Sequence, residues 1–218
     1  MKYISKIIYT SREDKMSYVY DKYKSILDTK SILDVGADKG HLRNYLPDTS
    51  SYHNIGFGEN ILQNWNLENI PYPFKDKQFD TVLCLDVLEH LENIHAAFDE
   101  CLRLAKEHVI ISLPSAYQNF WNFLKNGKYM GKSSDMKFYG LPKDPPEDRH
   151  RWFLGPSEAY QFIEYRAQLS GFSIEQFDCY TYRPSLFEKI IFKYFFSAQF
   201  KESLLTSGTL WFVLVRNR

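Results

Sequence analysis

The run Ser31-Ile-Leu-Asp-Val-Gly36, followed by Ala37-Asp-Lys-Gly40, constrains this chain's fold more than any other feature. A short apolar stretch that leaves through glycine reads as a buried parallel strand ending in a tight turn. The helix start expected after it would offer free N–H groups to a ligand. Parallel strands cannot be joined by hairpins, so helices must alternate with them. Strand character returns at Tyr52–Phe57, at Phe79–Leu85 after the polar turn Lys75-Asp-Lys-Gln78, and at His108–Leu113 before Pro114. Phe172–Tyr180 and Thr209–Val215 are two further candidates.

Helices are expected between them. Ile94, Ala97, Phe98, Cys101, Leu102 and Ala105 recur at three- and four-residue steps, which places them on one face. Asp99 and Arg103 sit one turn apart on the other face. A helix is predicted over Tyr18–Leu27, and another from Ser157, read as its N-cap, to Leu169, stopped by Gly171. Two stretches break the rhythm. Residues 115–150 hold aromatics, lysines and the run Leu141-Pro-Lys-Asp-Pro-Pro146, while 181–208 carry Leu186, Ile190, Ile191, Tyr194 and Phe195 at helical spacing. Both read as insertions in one domain spanning 1–218.

Composition closes off several classes. Lys plus Arg is 27 and Asp plus Glu is 27, a balance that argues against a chain held to nucleic acid by bulk charge. Cys84, Cys101 and Cys179 show no CxxC spacing and read as small buried apolar residues of a reduced, cytoplasmic compartment. No apolar run reaches the length of a membrane span, and residues 1–10 lack the features of a signal peptide. The six histidines form no HxxxH or HxH pair, so no metal site is expected. A dinucleotide fingerprint needs GxGxxG; Gly36 and Gly40 are four apart with Asp38 between them, and that reading fails.

The ordered segments say more than the glycine loop alone. Ile32-Leu-Asp-Val-Gly-Ala-Asp-Lys-Gly-His-Leu42, Ile55-Gly-Phe-Gly-Glu59, Asn66-Leu-Glu-Asn-Ile-Pro-Tyr-Pro-Phe74 and Phe79-Asp-Thr-Val-Leu-Cys-Leu-Asp-Val-Leu-Glu-His-Leu91 together resemble the class I S-adenosylmethionine-dependent methyltransferases. The nearest likeness is the type 11 branch that includes quinone-biosynthesis enzymes. The resemblance implies a Rossmann-like α/β fold: a seven-stranded mixed sheet, mostly parallel with an antiparallel last strand, flanked by helices and carrying the two insertions.

It also implies a site. Asp34, Gly36, Ala37 and Gly40 would shape the loop around the methionine part of the cofactor. Gly58 stands at the family's ribose-binding acid, with Glu59 next to it. Either Glu59 serves, or the ribose is held less tightly. Asn66 stands for an adenine-binding acid, Leu67 would pack on the ring, and Leu85 and Asp86 would line the sulfonium. Asp38 replaces the loop's middle glycine. If the acceptor is a hydroxyl, His90 or His150 is the candidate base. The acceptor implied is a small molecule (sugar, lipid-linked or quinone-like) methylated at oxygen, with no nucleic-acid partner. Residues 186–200 offer a lid or a membrane-surface contact. The rival expectation is a non-catalytic cofactor-binding or scaffold protein that retains the fold.

Overall fold

The computed structural model describes residues 2–4, 9, 11–127, 138–141, 143–145, 149–181 and 183–218. Its centre is one mixed sheet of eight strands: β1 (Lys2–Ile4), β2 (Ser31–Val35), β3 (Ser51–Gly56), β4 (Gln63–Asn64), β5 (Phe79–Leu85), β6 (Ala105–Pro114), β7 (Phe172–Thr181) and β8 (Thr206–Arg216). They lie in the order β1-β7-β8-β6-β5-β2-β3-β4. Strands β2 to β6 run parallel, and β8 is antiparallel to both β6 and β7. The Rossmann-like mixed sheet with an antiparallel last strand is therefore present, with β1 and the two-residue β4 as short edge strands.

Alternation along the strands sorts the core into two layers. Leu33, Val35, Val82, Cys84, Val109, Ile111, Leu210, Phe212 and Leu214 face one layer, with α2 (Ile94–Leu104) and α4 (Pro156–Leu169). Ile32, Leu83, Ile110, Trp211 and Val213 face the other, under α1 (Arg12–Leu27). A two-residue side-chain period with apolar residues on both faces is what a covered sheet demands. All three cysteines are buried within it. A third, smaller cluster joins α3 (Ala116–Asn126), α5 (Leu186–Phe195) and α6 (Ala198–Leu205) around Trp121, Phe192 and Leu204. No helix among the described residues is long and apolar enough to cross a membrane.

Several local expectations change. Helix α1 begins six residues before Tyr18, because the Ser11 side chain accepts the Asp14 N–H (3.0 Å) and Glu13 and Asp14 favour the first turn. Helix α4 is capped by Gly155 rather than Ser157: Pro156 fixes the first helical position, and the Glu158 carboxylate accepts the Gly155 N–H at 3.2 Å. Asp99 and Arg103 do not pair with each other. Asp99 binds Arg166 of α4, and Arg103 binds Glu100 and Asp76 at 2.7 Å each. The first insertion contains α3, the second α5 and α6; the Leu141–Pro146 run lies partly outside the described residues.

Candidate active site

From β2 the chain proceeds to β3 and β4 on one side and then to β5 and β6 on the other. The crevice beyond the carboxyl end of β2 is thus the switch point, where open α/β sheets receive ligands. Every expected cofactor residue except Asn66 and Leu67 lies on a strand end or turn bordering it. Those two follow β4, at the sheet's edge.

Backbone approach governs this corner. Gly36 has φ +76°, and a Cβ there would lie 2.3 Å from a Val87 methyl. Its N–H reaches the Ile55 carbonyl at 2.8 Å, and Gly40 N–H closes the turn on the Ala37 carbonyl at 3.0 Å. Gly40 (φ +67°) then enters a single 3₁₀ turn, His41–Asn44, in place of the helix start expected. Asp38 itself takes a left-handed φ of +53°. A Cβ on Gly58 would sit 2.3 Å from the Asp38 carbonyl oxygen. Position 58 therefore cannot hold the family's carboxylate on this backbone. Glu59 is exposed and pairs with Lys39 at 3.3 Å, beside the same loop.

The carboxylates are held from outside the corner. Asp34 is buried and accepts the Tyr52 hydroxyl at 2.8 Å. Burial pushes its pKa up to about 6, against the pull of Tyr52 and of the nearby Lys15 charge. Asp86, at φ +55°, accepts from Lys15 Nζ and from the Ser112 hydroxyl, both at 2.5 Å. Lys15 is buried on α1, one turn before Val19, and lies over the Trp211 ring. One turn earlier on the same helix, Arg12 binds Asp38. Helix α1 thus grips the Asp38 and Asp86 loops, both expected to border the cofactor, through two cations spaced three residues apart. Sequence reading missed this role. Its one signal is a lysine in phase with the buried stripe Val19, Tyr23 and Leu27.

On the adenine side, Leu67 is buried near Gly56 and Asn66 is exposed. The Asn66 side-chain oxygen Oδ1 accepts the Glu68 N–H at 3.0 Å, so of its amide only the NH2 is left to a ligand. Two further residues escaped the sequence reading. Asn54 fastens the loop after β3 by accepting Leu62 N–H (2.6 Å) and donating to the Asn60 carbonyl (3.1 Å). Glu68 accepts the N–H groups of Glu92 and Asn93 at the start of α2.

The expected histidines do meet. His90 ends the 3₁₀ turn Leu88–His90, and its ring packs edge-on against His150, centroids 4.7 Å apart. His90 Nδ1 donates to the Arg149 carbonyl at 3.0 Å, which turns Nε2 toward Glu89 Oε1 at 3.7 Å. His150 stacks on Phe138 at 4.2 Å, with its Nδ1 3.1 Å from the Tyr139 hydroxyl. Burial and the Glu89 charge push the Tyr139 pKa well above its ordinary value. Arg151 N–H donates to Glu89 C=O (2.7 Å) and the Trp152 indole to Leu91 C=O (2.8 Å), so residues 149–152 dock on the turn that carries His90. Ligand atoms of Glu89, His90 and His150 all lie within 4.8 Å of one another. Sequence spacing could not reveal this, because the fold supplies His150 from sixty residues away. One carboxylate and two imidazoles form a donor set suited to a divalent first-row metal.

The fold is the one seen in solved S-adenosylmethionine-dependent methyltransferases. Residues 33–113, a little over a third of the chain, match the family model described as a methyltransferase domain. The matched model is the type 11 one expected, and it does not single out the quinone-biosynthesis enzymes. Among solved structures, an Archaeoglobus fulgidus SAM-dependent methyltransferase is similar at 12% identity and a TM-score of 0.57, covering 94% of each chain. Magnesium protoporphyrin IX methyltransferase from Synechocystis PCC 6803, with bound SAH, is similar at 15% identity and a TM-score of 0.54, covering 94% of this chain and 83% of that one. Small RNA methyltransferase HEN1 is similar at 14% identity and 0.57, covering 98% of this chain but 27% of that one. At such identities the likeness bears on the fold. No curated protein sequence matches the chain significantly.

Proposed function

We propose that the chain transfers a methyl group from S-adenosylmethionine to a hydroxyl of a small molecule, with the acceptor entering beside His90 and His150. The meeting of those two rings at the end of the turn Leu88–His90, two residues after Asp86, carries the reading. The residues fit the cofactor at both ends. Glycine at 36 and 56 lets the strand ends and the Val87 turn pack closely where a Cβ would meet Val87 or the Gly36 backbone, and Asp34 is a buried carboxylate suited to an amino group. Asn66 offers an amide, and Leu67 an apolar surface, to the base. At the ribose, Gly58 cannot serve and Glu59 is the remaining carboxylate.

When bound, S-adenosylmethionine supplies the methyl group and a good leaving group. The protein then has four tasks. Asp34 and the glycine turns fix the methionine end. Asp86, held by Lys15 and Ser112, sets the wall beside the reacting carbon. His150 or His90 Nε2 receives the acceptor's proton during in-line attack. The cap of α3, α5 and α6 excludes water from the acceptor side through the aromatic chain Tyr139, Phe153, Tyr117 and Phe200.

S-adenosylhomocysteine formation over a panel of hydroxylated sugars, lipid-linked sugars, quinols and short RNAs tests this. His90→Ala or His150→Ala should lower kcat by about 10²–10⁴-fold with cofactor affinity unchanged. Asp34→Ala should abolish cofactor binding in calorimetry; near-normal affinity would misplace the loop. Product from RNA alone would reverse the acceptor class. Tight cofactor binding without any product would mark a scaffold that retains the fold.

The 4.8 Å cluster favours a second reading, in which Glu89, His90 and His150 hold a divalent cation that activates the acceptor oxygen. Activity abolished by a chelator and restored by zinc or manganese supports it. Chelator-insensitive turnover leaves the histidines as proton acceptors.

A further inference from the structure

We infer that the outward face of α5 docks on an anionic phospholipid bilayer. Leu186, Ile190 and Tyr194 recur every four residues, are 80%, 56% and 69% exposed, and form one stripe. Phe187 widens it and Phe195 ends it, at 72% and 77% exposed. An apolar surface of this kind on a soluble helix marks a binding face.

The charges indicate what covers it. The helix's one acid, Glu188, points inward: it is buried and accepts from the Trp121 indole (3.0 Å), Lys125 Nζ (3.0 Å) and the Ser185 N–H (2.8 Å). Lys189 and Lys193 border the stripe. A groove of about 610 Å³ runs alongside, floored by Phe192 and Leu205 and rimmed by Arg183, Lys189, Lys193 and Lys201. No carboxylate lines it among the described residues. In a chain of zero net charge, this side is locally cationic.

Aromatic and aliphatic side chains pointing outward, with lysines at their edge, are the pattern of a helix lying in a lipid interface. The groove has the charge and size to seat phosphate headgroups. A second copy docking symmetrically through this same face would bring it only more lysines, with no outward carboxylate on α5 to meet them. Ten helical residues span about 15 Å, half the hydrocarbon thickness, so the contact is peripheral. The inference stands on this surface alone and holds whether or not the methyl acceptor is a lipid.

The test is co-sedimentation of the full chain with vesicles of phosphatidylcholine, alone or mixed with phosphatidylglycerol. Binding should appear with the anionic lipid and weaken as salt rises. Lys189→Glu/Lys193→Glu should reduce partitioning about tenfold or more, and Ile190→Asp should do the same, while circular dichroism and cofactor affinity stay at wild-type values. Absence of binding to anionic vesicles, or equal binding to neutral ones, overturns the proposal. So does a lipid-free dimer in sedimentation velocity that Ile190→Asp dissolves, because the face would then belong to a second copy. Stabilisation by inorganic phosphate without vesicle binding overturns it too, leaving a free-anion groove.

Discussion

The cofactor corner and the α3–α5–α6 cap are built on opposite physical plans. At the corner, backbone meets backbone: Gly36 and Gly58 take left-handed or extended positive φ, leave no room for a Cβ, and bring three loops together. Charges then lock those loops from a distant helix, through Arg12 to Asp38 and Lys15 to Asp86. In the cap, aromatic rings do the packing, and one buried carboxylate, Glu188, ties α5 to α3. Steric plans tolerate no added atom, whereas an aromatic cluster around one polar node can repack. On the proposed reading, the rigid corner would hold the cofactor and the more adaptable cap would face the acceptor.

Substitutions can break or sharpen that contrast. Gly36→Ala should cost about 3 kcal/mol or more, because strain at φ +76° adds to the clash with buried Val87. A urea midpoint within error of wild type would mean the loops yield, and the contrast would fail.

Asp34→Asn comes next and has a definite sign. The folded-state pKa is pushed up to about 6 from 3.8, so the folded protein holds this proton more tightly than the unfolded chain. Ionisation is neutral to stability below about pH 4. Its cost grows between pH 4 and 6, and above that it remains at about 2–3 kcal/mol. Without cofactor, Asp34→Asn should therefore be more stable than wild type at pH 7 and equal to it at pH 3.5. Parallel stability curves over that range would refute the assignment.

In the cap, Glu188→Ala should cost about 2 kcal/mol, because the Trp121 indole and Lys125 lose a buried acceptor. Hydrogen exchange should accelerate in α5 and leave Gly36–Gly40 untouched. Exchange spreading to the corner would make the two regions one unit. The smallest effect belongs to Arg12→Ala. The Arg12 side chain is 78% exposed, so the Asp38 pair contributes at most about 0.5 kcal/mol. Its loss should show as a modest rise in cofactor Kd, not as a shifted Tm.

Much of the sheet was legible because periodicity is a local signal. Phe79–Leu85 emerges with the predicted bounds, and the predicted α2 face is the buried one. The two-residue β4 carries too little pattern to be seen. Asp99 and Arg103 have ideal spacing for each other, but stronger partners come from α4 and from Asp76. The glycines of the site were legible because a strand running into glycine has a backbone meaning. Its cations were not: Lys15 reaches Asp86 across seventy-one residues, and only the packed α1 brings them together.

The touch between Gly58 and the Asp38 carbonyl works as a ratchet. One codon change cannot restore an acid there, since any side chain would strike the neighbouring loop before reaching a ribose. Two loops would have to retreat in concert, breaking the grip of α1 as they went. If the nucleoside binds here as proposed, variation that retunes its affinity is steered to Glu59 and Lys39, which are exposed and paired at 3.3 Å.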